Sequence, residues 1–449
     1  MGRRALVAVL VVPLACGART ALLLPGQGAS GSGGGGGSGG GTTPLAVTCA
    51  AALQPGAPTP IDGYCPTRAN QANVNGPRTG PQIVWSVTPF PVPNAEDFLP
   101  AEMVVDATGR AYIAIAASPQ NSTGLPNQIL AVNADGSTAW TSSFPSPVTA
   151  LALGADGNVW FLEEATQNAE PFDCDGSVCN ASLNAFTRDG APVTSIDLSP
   201  DAGSFYSYNA MAIGSDGTFF LGAQGTLARV STDGALLWRT YANVAPPLVL
   251  GPADDAVASG QVYDAAGNQA WTVPGGDLAA VGAQGDVVGL SSQDGQSFSL
   301  VTVAPGGAVV EDVVLQANNI DAYQLAVAGD GTAVVLLANE ASAPGLTKSH
   351  VTIVAVDASG KTRWTTPLDV SLPFDPANLT THYGVFVDAA GTVIVTAGAV
   401  MGLDLASGAV LWTLQPAKPN VCLRPAVLGT GGAILATQCD GTVFLARDP

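Results

Sequence analysis

From about residue 80 to the C-terminus, apolar and polar residues alternate in short runs, and each run breaks at a glycine or an Asp-Gly pair. Period-two runs of this length describe strands with one buried face; a 3.6-residue helical period is absent from this part of the chain. Two kinds of break recur. The first lies four residues before a tryptophan: Gly136 before Trp140, Gly234 before Trp238, Gly267 before Trp271, Gly360 before Trp364 and Gly408 before Trp412. Each follows an alternating strand such as Ile129–Asn133 or Ile353–Asp357, and each predicts strand, tight turn, strand. Gly accepts positive φ at such turns and Asp or Asn tolerates it.

The second break sits upstream of the first. It is centred on Gly109, Gly157 and Gly217, and again on Gly285, Gly331, Gly391 and Gly432, with a β-branched or aromatic strand after it. Two hairpins per repeat make a four-stranded antiparallel sheet. The outer strands centre on Trp85, Trp140, Val193, Trp238, Trp271, Val310, Trp364 and Trp412, a mean spacing of about 47 residues that matches propeller blades. Residues 421–449 supply three strands and stop, whereas Pro81–Val87 is a strand without a blade. Joining the two closes a ring and leaves few open edges. The expected fold is therefore an all-β, eight-bladed propeller of four-stranded antiparallel blades closed by an N-terminal strand. Seven blades is the fallback, because the unit ending at Trp271 is short.

The leader has a different pattern. Met1-Gly-Arg-Arg precedes an apolar run from Ala5 to Ala15, the form of a secretory signal peptide. That run is shorter than the roughly 20 residues that span a bilayer. Cys16 after Ala15 resembles the lipobox of bacterial lipoproteins, which implies lipidation of Cys16; Pro13 and Leu14 depart from the pattern, and ordinary cleavage nearby is the alternative. Residues 28–43 are Gly and Ser with one Ala and a closing pair of Thr, a coil suited to a tether. The expected organisation is signal peptide 1–15, lipid anchor and linker 16–43, an irregular Cys-containing segment 44–79 outside the repeats, and propeller 80–449.

Seven cysteines occur. With Cys16 lipidated, six remain in three pairs close in sequence: Cys49 with Cys65, Cys174 with Cys179, and Cys422 with Cys439. Proximity favours these pairings among the fifteen possible, and an oxidising compartment fits an exported chain. Zinc would need Cys-x-x-Cys spacing and further ligands, which are missing.

Charge narrows the function. The chain carries 35 Asp+Glu against 15 Lys+Arg, a net charge of −20. No basic stripe exists to neutralise phosphates, so nucleic acid is excluded as a partner. There is no Gly-x-Ser-x-Gly elbow and no phosphate-binding loop. Asp173-Cys-Asp175-Gly176 begins a calcium-loop pattern but does not continue it. Glu163-Glu164 and Asp254-Asp255 are adjacent carboxylates on opposite strand faces, expected at solvated edges. Of the two histidines, His350 and His382, the latter precedes an inner strand and is a candidate channel base, with a structural role as the commoner reading. Trp160 lies on an inner hairpin, where core packing outweighs a ligand platform.

The outer hairpin resembles the repeat of pyrroloquinoline-quinone-type propellers. Asp404, Ser407, Gly408 and Trp412 follow its pattern, with Gly402 where the family has Ala; Ala355, Asp357, Gly360 and Trp364 follow it with one residue deleted. The resemblance covers residues 80–449. It implies that Trp85, Trp140, Trp238, Trp271, Trp364 and Trp412 pack between blades. Quinone-dependent members use adjacent cysteines, calcium and an Asp base; Cys174 and Cys179 are five apart, so no cofactor, no metal and no catalytic residue is expected. In layout the chain also resembles the propeller lipoproteins of the outer-membrane barrel-assembly machinery. Together these imply a non-catalytic binding or scaffolding protein at the cell envelope, held to the outer membrane by its lipid and meeting an envelope protein partner. A secreted or periplasmic protein is the alternative location. A quinone-dependent oxidoreductase or a hydrolase with its site in the channel is the alternative function.

Overall fold

The computed structural model describes residues 52–449 apart from 62–63, 66–69, 90–97, 118–126, 165–180, 199–209, 224, 243, 245–247, 277, 283, 293–296, 317–319, 321, 342–347, 372–382 and 419–420. Strands fall into eight four-stranded sheets. Each alternating run pairs antiparallel with the next, so blade 1 spans 98–144, blade 2 148–197, blade 3 210–240, blade 4 249–272, blade 5 278–316, blade 6 322–371 and blade 7 383–414. Blade 8 combines Val427–Leu428, Ile434–Thr437 and Val443–Arg447 with Gln82–Val87 as its outer strand. Gln82 faces Arg447 and Val87 faces Val443, which is the ring closure expected from the two chain ends. The short unit ending at Trp271 is a complete blade 4, built from strands of two to four residues.

Apolar burial lies between blades rather than within one central mass. The buried residues separate into layers, each taking one face from each of two neighbouring sheets. Blades 6 and 7, for example, share Leu336, Ile353, Trp364, Val385, Val395 and Leu403. The layer between blades 8 and 1 holds Ile113, Leu130, Leu435 and Val443, with Trp85 packed on it, so the seam is as apolar as the covalently continuous boundaries.

The turns repeat one chemistry. Asp135 Oδ1 accepts the backbone N–H of Ser137 at 2.9 Å and its hydroxyl at 2.6 Å; Asp357 does the same for Ser359 and also accepts Lys361 N–H. An Asp in the turn thus satisfies N–H groups that the ladder leaves over. Blade 8 lacks a covalent outer turn, because its outer strand comes from the other end of the chain. There Asp448 accepts the N–H groups of Arg78 at 2.7 Å and Thr79 at 3.1 Å, rebuilding the turn from the two termini.

The described residues of 52–79 belong to none of the eight sheets and are docked on the ring. Leu53, Ala57, Ile61, Tyr64, Cys65 and Ala72 are all buried. The segment escapes sequence patterning because its contacts are largely main-chain bonds to the ends of inner strands, which need no apolar period.

Candidate functional site

The boundaries between blades concentrate the side chains that the sequence singles out. Trp85 donates its indole N–H to Ala134 O at 2.9 Å, Trp140 to Arg188 O at 2.8 Å, Trp238 to Ala265 O at 2.9 Å and Trp364 to Leu405 O at 2.7 Å. Every acceptor lies in the outer turn of the next blade. The ring of each indole covers the glycine of that turn: a Cβ on Gly136 would stand 2.9 Å from Trp85, and one on Gly267 2.7 Å from Trp238. Glycine is therefore required there twice, for its positive φ and for the indole's approach. Trp271 lies against Gly307 in the same way. Trp412 reaches across to the seam and donates to Pro77 O at 2.9 Å. Its cross-strand partner is Gly402, where a Cβ would run into the indole, which explains the glycine in place of the family's alanine.

Two blades lack the tryptophan. Four residues after the turn glycine, blade 2 has Thr194 and blade 5 has Glu311. Ile196 packs on Gly234 at the first of these boundaries, and the Glu311 carboxyl lies against Gly360 at the second. Burial, and then the neighbouring Asp357, push the Glu311 carboxyl above its ordinary range.

Arginines tie the same boundaries. Arg188 of blade 2 pairs with the buried Asp106 of blade 1 at 3.1 Å, and Arg110 of blade 1 donates to Arg188 O at 2.6 Å. Tyr112 donates to Asp106 at 3.1 Å; burial and that carboxylate raise its phenol pKa well beyond the usual value. Arg229 of blade 3 meets Asp216 at 2.9 Å and Asp254 of blade 4 at 3.6 Å, donates to Ala265 O at 2.9 Å, and stacks 4.8 Å from the Phe220 centroid.

Asp254 corrects the expectation of a solvated edge. It is 8 % exposed, at φ 59°, and accepts both the N–H and the hydroxyl of Ser215 at 2.8 Å. The turn holds it inward because it closes the boundary with blade 3. Burial raises the carboxyl of Asp255, with Asp264 and Asp254 adding to the effect. Glu163 is likewise half-buried and raised by burial; the Glu164 side chain lies outside the described residues. Trp160 is a core residue, buried and 4.6 Å from the Phe219 centroid.

Cys422 and Cys439 are bonded, with Cα atoms 5.3 Å apart, joining the entry to blade 8 to a turn of the same blade. Cys65 is disulfide-bonded; Cys49, its expected partner, lies outside the described residues, as do Cys16, Cys174, Cys179 and His382. His350 stands on the long strand Lys348–Val356 of blade 6, opposite Asn339 and Asp369, and is exposed.

Quinone chemistry of the family's kind needs a calcium ligand set. Among the described residues no three His, Cys, Asp or Glu side chains converge on one point. The raised carboxyls Glu163, Asp255 and Glu311 belong to blades 2, 4 and 5 and do not pair with one another. Among the described residues, none assembles that ligand set.

No protein-family model matches the chain. No curated protein matches it either. Solved structures do. A quinohemoprotein alcohol dehydrogenase, ADHIIG of Pseudomonas putida, superposes with a TM-score of 0.55 at 13% identity, over 90% of this chain and 82% of that one. The WD40 domain of Neurospora crassa Pan2 gives 0.47 at 11% identity, over 84% and 98%. At these identities the likeness is one of fold. The chain is an eight-bladed propeller, similar in fold to that dehydrogenase, with strand Gln82–Val87 completing the last blade.

Proposed function

We propose that the protein is an exported, lipid-anchored propeller that acts at the cell envelope as a non-catalytic binding or scaffolding body. Its partner is a protein whose contact surface carries Lys and Arg. One observation supports this reading above others: many of the described charged groups are engaged in ion pairs or turn hydrogen bonds within and between blades. Arg78, Arg110, Arg188, Arg229 and Arg363 each pair with an Asp. Turn aspartates such as Asp135, Asp357 and Asp388 are bound to backbone N–H groups. A catalytic centre would instead gather titratable groups at one point with a shared proton.

Rings of blades collect their longer connections at one end, which makes a broad surface that needs no chemistry to be useful. The excess of 35 acidic over 15 basic residues attracts a basic partner over several ångströms and is screened by salt. The test is retention of envelope proteins on immobilised mature protein, each retained protein then purified and retested as a pair. Specific binding that weakens tenfold or more between 50 and 500 mM salt (about 1.4 kcal/mol or more), and that survives His382→Ala, supports the reading. Absence of such a pair, with dye-linked alcohol oxidation after reconstitution with quinone and calcium, would replace it with an oxidoreductase.

A further inference from the structure

The innermost strand of each blade has one edge turned to the ring axis, with backbone groups that no neighbouring strand of its sheet can satisfy. The described residues of 52–76 bond to those edges. We propose that this segment is a strap that closes one end of the central channel and holds the ring shut independently of the closing strand Gln82–Val87.

The bonds follow the chain from blade to blade. Ala155 N–H of blade 2 donates to Ala52 O at 2.8 Å; Gln54 N–H donates to Leu153 O at 3.0 Å, and Leu153 N–H to Pro60 O at 2.7 Å. Val105 N–H of blade 1 donates to Thr59 O at 2.8 Å. In blade 8, Thr59 Oγ1 donates to Leu428 O at 2.7 Å and Leu428 N–H donates to the Tyr64 hydroxyl at 3.1 Å. In blade 7, Val387 N–H donates to Asn70 O at 2.7 Å and Ala72 N–H to Val387 O at 2.8 Å. Finally, Asn70 Nδ2 donates to Leu325 O of blade 6 at 2.7 Å.

Two features of this path matter. Blades 2 and 6 are four steps apart in a ring of eight, so the segment passes from one side of the axis to the opposite side. Val105, Leu153, Val387 and Leu428 each end an innermost strand just before its tight turn, which places these contacts at one end of the channel.

Side chains fill what the bonds frame. Leu53 and Ile61 enter the layer between blades 2 and 3, Ala57 that between blades 1 and 2, and Tyr64 and Ala72 that between blades 7 and 8. Tyr64 sits 4.9 Å from the Phe386 ring centroid. The blade assembled from the two termini is therefore bracketed: the strap holds it and both of its neighbours.

Amide hydrogen exchange on the full chain tests this. Two variants weaken the strap alone. Thr59→Val with Tyr64→Phe deletes both bonds to Leu428, and Asn70→Gly keeps the positive φ of 48° while deleting the bond to Leu325. Exchange at Val105 and Leu153 should rise at least tenfold in both variants, although no substituted atom touches those amides. Exchange in the strand Lys348–Val356 should stay at the wild-type rate. Unchanged exchange at Val105 and Leu153, or an equal rise in Lys348–Val356, would overturn the strap.

Discussion

Glu311→Trp should make the protein more stable. At four boundaries an indole covers the next blade and donates to a carbonyl there, and at a fifth Trp412 donates to Pro77 O beside the closing strand; between blades 5 and 6 a carboxylate stands at the matching position, beside Asp357. An indole carries about 200 Å² of mostly apolar surface. Half of that, the share expected for a side chain as partly covered as Trp238, contributes about 2.5 kcal/mol at 25 cal/mol per Å². A hydrogen bond to Ala358 O adds about 1 kcal/mol, and ordering the side chain costs about 1 kcal/mol. The expected gain is therefore about 2.5 kcal/mol, before any relief of the repulsion from Asp357. For a chain of this size that is a rise of roughly 3 °C in Tm, read by calorimetry beside Trp364→Ala. The latter deletes a well-buried indole and should cost about 3–5 kcal/mol. If Glu311→Trp lowers the Tm, or Trp364→Ala leaves it unchanged, the indole is not what fastens the blades.

Other consequences are equally direct. Arg229→Met keeps the stem over Phe220 but removes the charge between Asp216 and Asp254; unfolding in urea should show a loss of about 2–3 kcal/mol, most of it from Asp254 left buried. Asp255 has a raised pKa, so its charge opposes folding once pH exceeds the unfolded carboxyl's value. Asp255→Asn should therefore raise the Tm at pH 7 and lose that advantage as pH falls below the ordinary carboxylate range, as seen in a pH series of melts. Radiolabelled fatty acid should enter the full-length protein in a bacterial host and fail to enter Cys16→Ser, which a gel of labelled cells would reveal.

How far the sequence carries these conclusions depends on the kind of contact. Gly-x-x-x-Trp spacing announces the outer hairpin because one contact, indole on glycine, fixes both residues at once. The closing strand is legible since Pro81–Val87 alternates without a local partner and residues 421–449 lack one strand. The strap is not legible: Gln54, Thr59, Pro60, Asn70 and Ala72 act largely through backbone groups and single polar side chains, and no periodicity follows from that. Asp254 misleads for a related reason. Adjacent carboxylates in a turn look solvated until Ser215 and Arg229 arrive from the neighbouring blade. Glu311 is visible as a missing Trp, yet its strain with Asp357 depends on a side chain 46 positions away.

Everything above rests on a ring whose last blade is built from both ends of the chain. Gln82 and Arg447 are register partners in that blade and both are exposed. Directly opposite residues of an antiparallel pair have Cα atoms about 4.5–5.5 Å apart, within reach of a disulfide. The double variant Gln82→Cys, Arg447→Cys should therefore form a cross-link under mild oxidation, seen as faster migration on a non-reducing gel, and should melt at a higher temperature than its reduced form. Gln82→Cys with Val443→Cys, set four residues out of register, should form none. An in-register pair that stays reduced while the protein is folded, or an out-of-register pair that closes as readily, would contradict the closed ring.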